Sequence, residues 1–300
     1  MIFNNALEII GNTPLVKLTN IVKKYNLKGE IYAKVEYYSP GLSKKDRIAK
    51  YIIEKAIKEG KLKDNQIVIE QTSGNTGIGL ALVCSLLHHP FIAVMSKGNS
   101  IERVKMIEAF GGKVELVDKV NSIPGVSKED MEAVKVRFNE LTKELNAFPV
   151  NQFASVDNAL AHYYSTAEEI VSDLKNVDVF IDFVGTGGSF IGIAKKLKEY
   201  NNCLCFKVVP DKENHLIQGG GYFSDIPFEE KNLSDGEIVV SSEEALEGMS
   251  ELAREEGLFA GISSGANLKA AIKYLKENGN KKVVILLNDV GLKYMSVLQA

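Results

Sequence analysis

Residues 71–79 read Gln71-Thr72-Ser73-Gly74-Asn75-Thr76-Gly77-Ile78-Gly79. They stand between an apolar run of strand length, 67–70, and a helical pattern over 78–87. A hydroxyl-rich turn containing glycine at a helix start aims backbone N–H groups and side-chain donors at one point, where an anion is favoured. Capping alone needs a single Ser, Thr or Asn. Thr72, Ser73, Asn75 and Thr76 interleaved with glycine exceed that need, so the segment predicts an anion site.

The same strand–turn–helix grammar spreads in both directions. Strands are predicted at 30–34, 91–95, 113–117, 177–184, 206–209 and 283–287, and helices at 48–58, 102–110, 190–200 and 268–277. Strands alternating with helices of this length imply α/β architecture with two open, twisted, mostly parallel sheets flanked by helices. The polar stretch 118–147, broken at Ile123-Pro124-Gly125, ends one lobe, and Val150-Asn151-Gln152-Phe153 returns to the other. The predicted division is a smaller mobile lobe over 45–148 and a larger lobe built from 1–44 and 149–300.

Composition narrows the function. The 300 residues carry 36 Lys and Arg against 39 Asp and Glu, a net charge of −3, which gives no general drive towards nucleic acid or anionic lipid. No apolar run reaches membrane-spanning length and the N-terminus has no basic signal region, so a cytoplasmic chain is expected. Cys84, Cys203 and Cys205 cannot all pair, and Cys203-x-Cys205 lacks nearby His ligands, so no metal is assigned.

A second glycine turn, Gly185-Thr186-Gly187-Gly188-Ser189, follows the strand at 177–184 and suits a phosphate at a helix start. It lacks the third glycine of a dinucleotide fingerprint, which leaves a nicotinamide cofactor as a weak rival, and no Gly-Lys-Ser/Thr follows as in a Walker A loop. The third segment is Ser39-Pro40-Gly41-Leu42-Ser43-Lys44-Lys45-Asp46-Arg47. Ser43 and Asp46 have capping-box spacing. Lysines in a first helical turn run against the dipole, which disfavours the ammonium form as an amine nucleophile requires.

Together, and in this order, these segments resemble the fold-type II pyridoxal-phosphate enzymes, specifically the cysteine synthase and cystathionine β-synthase group, whose architecture is tryptophan synthase β-like. Further matches are Ile10-Gly11-Asn12-Thr13-Pro14-Leu15, Ser100-Ile101-Glu102-Arg103, Asn151-Gln152-Phe153 and Gly261-Ile262-Ser263-Ser264-Gly265-Ala266. The resemblance implies pyridoxal 5'-phosphate in Schiff-base linkage to Lys45, with Lys44 at a variable, solvated position. It places Asn75 beside the ring and its 3' oxygen, Gly185, Thr186, Gly187, Gly188 and Ser189 around the phosphate, and Ser263 against the pyridine nitrogen. Thr72, Ser73, Gly74, Thr76 and Gln152 are implied to hold the substrate carboxylate. A hydroxyl cannot keep the ring nitrogen protonated as an aspartate would, which favours loss of a β-substituent over transamination.

The implied reaction is β-replacement on a small L-amino acid through an α-aminoacrylate, with O-acetylserine and sulfide giving cysteine and acetate as the leading form. Release of hydrogen sulfide from cysteine, or condensation of serine with a thiol, is the alternative. A catalytically silent cofactor-fold binding protein is the rival of another class. Partners are then a small amino acid and sulfide, a thiol or water, and a homodimer is implied by the family alone.

Three regions depart from the family pattern. The loop Leu216–Pro227 carries Tyr222 and Asp225, which would position the leaving group or the incoming nucleophile. Asn288-Asp289-Val290-Gly291-Leu292-Lys293-Tyr294 lacks the family's Glu and Arg, which puts their contacts in doubt. The charged segment 124–143 reads as a solvated helix. Neither a regulatory C-terminal module nor an N-terminal haem extension is expected. His88, His89 and His162 are expected to cap or pack, while His215 lies beside the variable loop.

Overall fold

The computed structural model describes residues 2–122, 125–213, 215–218, 220, 226–228, 230 and 232–298. Tyr222 and Asp225 lie outside the described residues. The first strands, β1 (Leu15–Lys17) and β2 (Gly29–Val35), are joined by a short helix, α1 (Thr19–Lys24). Helix α2 (Lys45–Lys58) leads to β3 (Val68–Gln71), α3 (Asn75–Leu86), β4 (Phe91–Ser96), α4 (Ile101–Ala109) and β5 (Lys113–Val117). Helix α5 (Lys128–Glu144) precedes a two-residue strand, β6 (Phe148–Pro149).

Helices α6 (Asp157–Tyr163) and α7 (Thr166–Asp173) come next, then β7 (Val179–Phe183), α8 (Gly188–Asn201), β8 (Leu204–Pro210) and β9 (Gly236–Val240). The chain continues through α9 (Ser242–Glu256), α10 (Ile262–Asn278), β10 (Lys281–Leu287) and α11 (Met295–Leu298).

The strands form two sheets. One has the order β1-β2-β10-β7-β8-β9, parallel except for β1, which pairs antiparallel through Leu15↔Lys34; the other has the order β5-β4-β3-β6 and is parallel throughout. Parallel strands covered on both faces read as continuous apolar runs, and β7 is buried at every position. Separate apolar clusters serve the two sheets: Ile31, Val283 and Leu268 belong to one, and Ile53, Ile78 and Met95 to another.

The predicted elements are present, with ends moved by a few residues. Helix α10 starts at Ile262, six residues before the predicted 268, because Gly261-Ile262-Ser263-Ser264-Gly265 is itself the first turn. Segment 124–143 is not merely solvated: α5 opens with a reciprocal Ser127–Asp130 capping box and buries Val134, Phe138 and Leu141 against Ile69 and Val94. The predicted box at Ser43 does not close. Lys45 N donates to Ser43 Oγ (3.3 Å), but the Asp46 carboxylate turns back to accept from Gly41 N (2.6 Å).

The start of α2 is pinned by charge. Arg47 bonds Glu36 through Nε and Nη2 (2.6 and 2.9 Å) and Glu169 through Nη1 and Nη2 (2.6 and 2.7 Å), and Nη2 also donates to Thr13 Oγ1 (3.0 Å). Paired guanidinium–carboxylate bonds fix direction as well as distance, so this network holds the N-terminal segment, α7 and the first turn of α2 in one register. Lys45 sits in that turn.

Candidate active site

A cavity of about 550 Å³ lies where the ends of both sheets meet. Three chain reversals bring its reactive groups together. The start of α2 supplies Lys45, the β3–α3 turn supplies Thr72, Ser73, Asn75 and Thr76, and the β7–α8 turn supplies Gly185 and Thr186; Gln152 and Phe153 complete the wall. Ligand sites at the carboxyl ends of parallel strands are the rule in open α/β sheets.

Lys45 Nζ donates to Thr186 Oγ1 (3.1 Å). Burial, and then the adjacent charge of Lys44, press its amine down to about 7, so it is substantially unprotonated at neutral pH. Thr186 Oγ1 also accepts from Asn158 Nδ2 (2.8 Å), whose amide further donates to Gln152 O (2.8 Å). Gly187 caps α8 in the left-handed conformation (φ +82°), and a Cβ on Gly188 would stand 1.9 Å from Asn158 Oδ1. Glycine at both positions lets bare backbone N–H groups face outward at the start of a 14-residue helix.

The β3–α3 turn is organised from below. Gly74 (φ +129°) lies against the buried Arg103, where a Cβ would come within 2.4 Å of Arg103 Cδ, and Arg103 Nη1 donates to Ser73 O (3.1 Å) and Gln218 Oε1 (2.9 Å). Thr76 Oγ1 donates to Gln152 Oε1 (2.6 Å), and Gln152 Nε2 donates to Gln71 O (3.1 Å). Beneath them the fully buried Glu70 accepts from Gln152 N (3.1 Å), and burial pushes its carboxyl up to about 8.

Asn75 is held on both sides of its amide: Nδ2 donates to Asp289 Oδ2 (2.7 Å) and Oδ1 accepts from Lys293 Nζ (2.9 Å). Lys293 also donates to Gly41 O (2.8 Å) and Leu42 O (3.1 Å). The departure from the family at 288–294 therefore does not leave that segment without contacts, because a buried lysine ties the α2 entry loop to Asn75. Ser263, in the first turn of α10, is 7% exposed, and its Oγ accepts from Asn288 Nδ2 (3.1 Å). Ser263, Gly74 and Gly187–Ser189 are not among the residues that line this cavity.

The family model for pyridoxal-phosphate dependent enzymes matches residues 6–289. The chain belongs to that family. Its relatives include a cysteine synthase of Staphylococcus aureus, 37% identical over 98% of this chain and 96% of the relative. Among solved structures, this pyridoxal-phosphate dependent enzyme resembles a hydrogen sulfide-producing enzyme from Fusobacterium nucleatum at 44% identity and a TM-score of 0.90, over 98% of this chain and 100% of that one. It also resembles an O-acetylserine dependent cystathionine β-synthase from Helicobacter pylori at 34% identity and a TM-score of 0.90, over 99% and 98% of the two chains.

The residues present fit the cofactor. The family's aldehyde needs an unprotonated amine and Lys45 offers one; its phosphate needs unencumbered N–H groups at a helix start, and the Gly187–Gly188 turn provides them. Thr186 Oγ1 accepts two hydrogen bonds and keeps its own proton to donate, and Ser263 likewise keeps its O–H while accepting from Asn288.

One expectation changes. Lys44 is not solvated: it is 9% exposed and bonded to Asp182 and Ser189. His215 lines the cavity, with Nδ1 accepting from Ile217 N (3.1 Å) and its ring edge-on to Phe183, so it serves as wall and loop anchor. His162 is fully buried against Thr166 Oγ1 (2.8 Å), and burial lowers its pKa well below the usual imidazole range.

Sequence reasoning missed Asn158, which carries no motif, and gave Arg103 no role. Asp182 did leave a signal, as a lone carboxylate inside the apolar run Val179-Phe180-Ile181-Asp182-Phe183.

Proposed function

We propose that this chain catalyses β-replacement on a small L-amino acid, with O-acetylserine and sulfide giving L-cysteine and acetate. The observation that carries the reading is the placement of one low-pKa amine, Lys45, between two helix-start turns that suit two different anions. The Gly185–Ser189 turn is taken to seat the cofactor phosphate. The turn of Thr72, Ser73, Gly74 and Thr76, with Gln152, is taken to seat the amino acid's α-carboxylate.

Bound there, pyridoxal phosphate supplies an electron sink that acidifies the amino acid's Cα hydrogen. Lys45 would hold the cofactor and, as a free amine, would take the proton at Cα, for which a pKa near 7 is the appropriate strength. Asn75, held by Asp289 and Lys293, retains a second Nδ2–H to donate to the ring's 3' oxygen. Ser263 would donate its hydroxyl to an unprotonated ring nitrogen. The apolar Val126, Met131 and Phe153 keep water away from Cβ. Residues 45–148 are proposed to act as the lobe that closes over substrate, and the reading extends to a cytoplasmic homodimer.

A second reading uses the same steps with L-cysteine as the donor, a second thiol or water as the nucleophile that takes the sulfur's place on Cβ, and hydrogen sulfide as the product. It is favoured by the 44% identity to the Fusobacterium enzyme. Purified protein loaded with pyridoxal phosphate is given O-acetylserine plus sulfide in one vessel and L-cysteine alone in another. Cysteine formed in the first supports the leading reading, and sulfide released only in the second supports the alternative. Turnover in neither would overturn both. Borohydride reduction followed by peptide mapping should find the cofactor mass on Lys45 and none on Lys44.

A further inference from the structure

The residue before the cofactor lysine has its own buried network. Lys44 Nζ donates to Ser189 Oγ (2.7 Å) and to Asp182 Oδ2 (3.0 Å), and Ser189 Oγ donates to the same carboxylate oxygen (2.6 Å). The other oxygen, Asp182 Oδ1, accepts from Asn267 Nδ2 (3.1 Å), and Asn267 also donates to Leu286 O (2.9 Å). Asp182 and Asn267 are fully buried and Ser189 is 7% exposed.

This network ends on the last residue of the glycine turn. Ser189 has one hydroxyl proton and spends it on Asp182, so its side chain offers no donor to an anion in front of the turn. The Asp182 carboxylate, ion-paired with Lys44 at 3.0 Å, stands one hydroxyl behind that seat. Left alone it would oppose an anion there with little solvent screening, since it lies inside the protein. Lys44 answers that charge and has a third N–H beyond the two in use.

We infer that Lys44 is a positioning residue for the cofactor phosphate: paired with Asp182, it cancels the buried carboxylate behind Gly185–Ser189 and holds Ser189 in place. This rests on the reading of that turn as the phosphate seat. The pair also bears on Lys45, since the charge of Lys44 is among the influences that lower its amine and Asp182 among those that raise it.

The test compares two ligands that differ only in the phosphate. The full-length chain is stripped of cofactor and titrated with pyridoxal 5'-phosphate and with pyridoxal, for the unaltered protein, Lys44→Met, Asp182→Asn and the double variant. Lys44→Met should weaken pyridoxal phosphate roughly tenfold to a hundredfold more than it weakens pyridoxal, the size of one uncancelled charge at an effective dielectric of about 20, because any change in the Lys45 amine is common to both ligands. Adding Asp182→Asn should restore most of the loss, and Asp182→Asn alone should bind the phosphate at least as tightly as the unaltered chain.

Equal losses for both ligands in Lys44→Met, or a double variant no better than the single, would mean that the pair only supports packing and would overturn the inference. If Lys44→Met does not fold, Asp182→Asn decides: selective loss of the phosphate ligand there also overturns it. An unaltered chain that prefers pyridoxal would instead overturn the cofactor reading itself.

Discussion

Glu70→Gln should make the protein more stable at alkaline pH, and the gain should grow with pH. Glu70 is fully buried at the end of β3, accepts from Gln152 N and has its carboxyl pushed up to about 8, chiefly by burial. In the unfolded chain it would ionise near the ordinary glutamate value of 4.5. Between these values the folded state holds a proton that the unfolded state has released, so this residue's contribution to stability falls as pH rises from about 4.5 to about 8.

The slope is about 1.4 kcal/mol per pH unit, which over that window amounts to at most roughly 5 kcal/mol. Glutamine has the same shape and no proton to lose, so its curve lacks this component. Urea-unfolding midpoints of both proteins, freed of cofactor and measured at half-unit steps from pH 5 to 8.5, give the difference directly. The variant should gain steadily on the parent through the window and level off above it. A difference that stays flat with pH would refute the reasoning, because it would mean that Glu70 ionises in the folded protein as it does in water.

Other perturbations probe the site from different sides. Gly188→Ala places a methyl 1.9 Å from Asn158 Oδ1 and disturbs the bonds from Asn158 to Thr186 and Gln152; a pyridoxal phosphate titration should show at least a tenfold loss of affinity, about 1.4 kcal/mol, and normal affinity would disprove the cradle. Lys293→Met leaves Gly41 O and Asn75 Oδ1 without this donor, and Leu42 O with only Val290 N, and should cost about 1–3 kcal/mol in urea unfolding, whereas a neutral result would show that these acceptors find other partners. The rate of pyridoxal capture by the cofactor-free chain should rise with pH around a midpoint near 7, where Lys45 loses its proton; a midpoint near the 10.5 of an ordinary lysine would show that neither burial nor Lys44 acts on it.

The alternation of apolar runs and helical patterns, with hydroxyl-rich or glycine-rich turns between them, is a local property. It was therefore legible without coordinates: β5 falls on the predicted residues, and β3, α3 and α8 lie within a few residues of theirs. Lys45, Asn75 and the two turns could be picked out for the same reason, since glycine with positive φ and a hydroxyl at a helix start are written in consecutive residues. What one sequence could not reveal is which distant side chains answer each other's charge.

Lys44 and Asp182 are 138 positions apart, and a lysine next to the cofactor lysine is a solvated residue by every local rule. Only the packing of β7 beside the start of α2 makes it a buried partner. Asn158 likewise became visible only when α6 brought it between Thr186 and Gln152, and Lys293 only when the chain's end folded back onto Asn75. The sequence by itself determined the order of strands, turns and helices, because backbone preferences act over a few residues. The tertiary structure alone decided the protonation of Lys45 and Glu70, because burial and facing charges, which set a pKa, come from chain segments far apart in sequence.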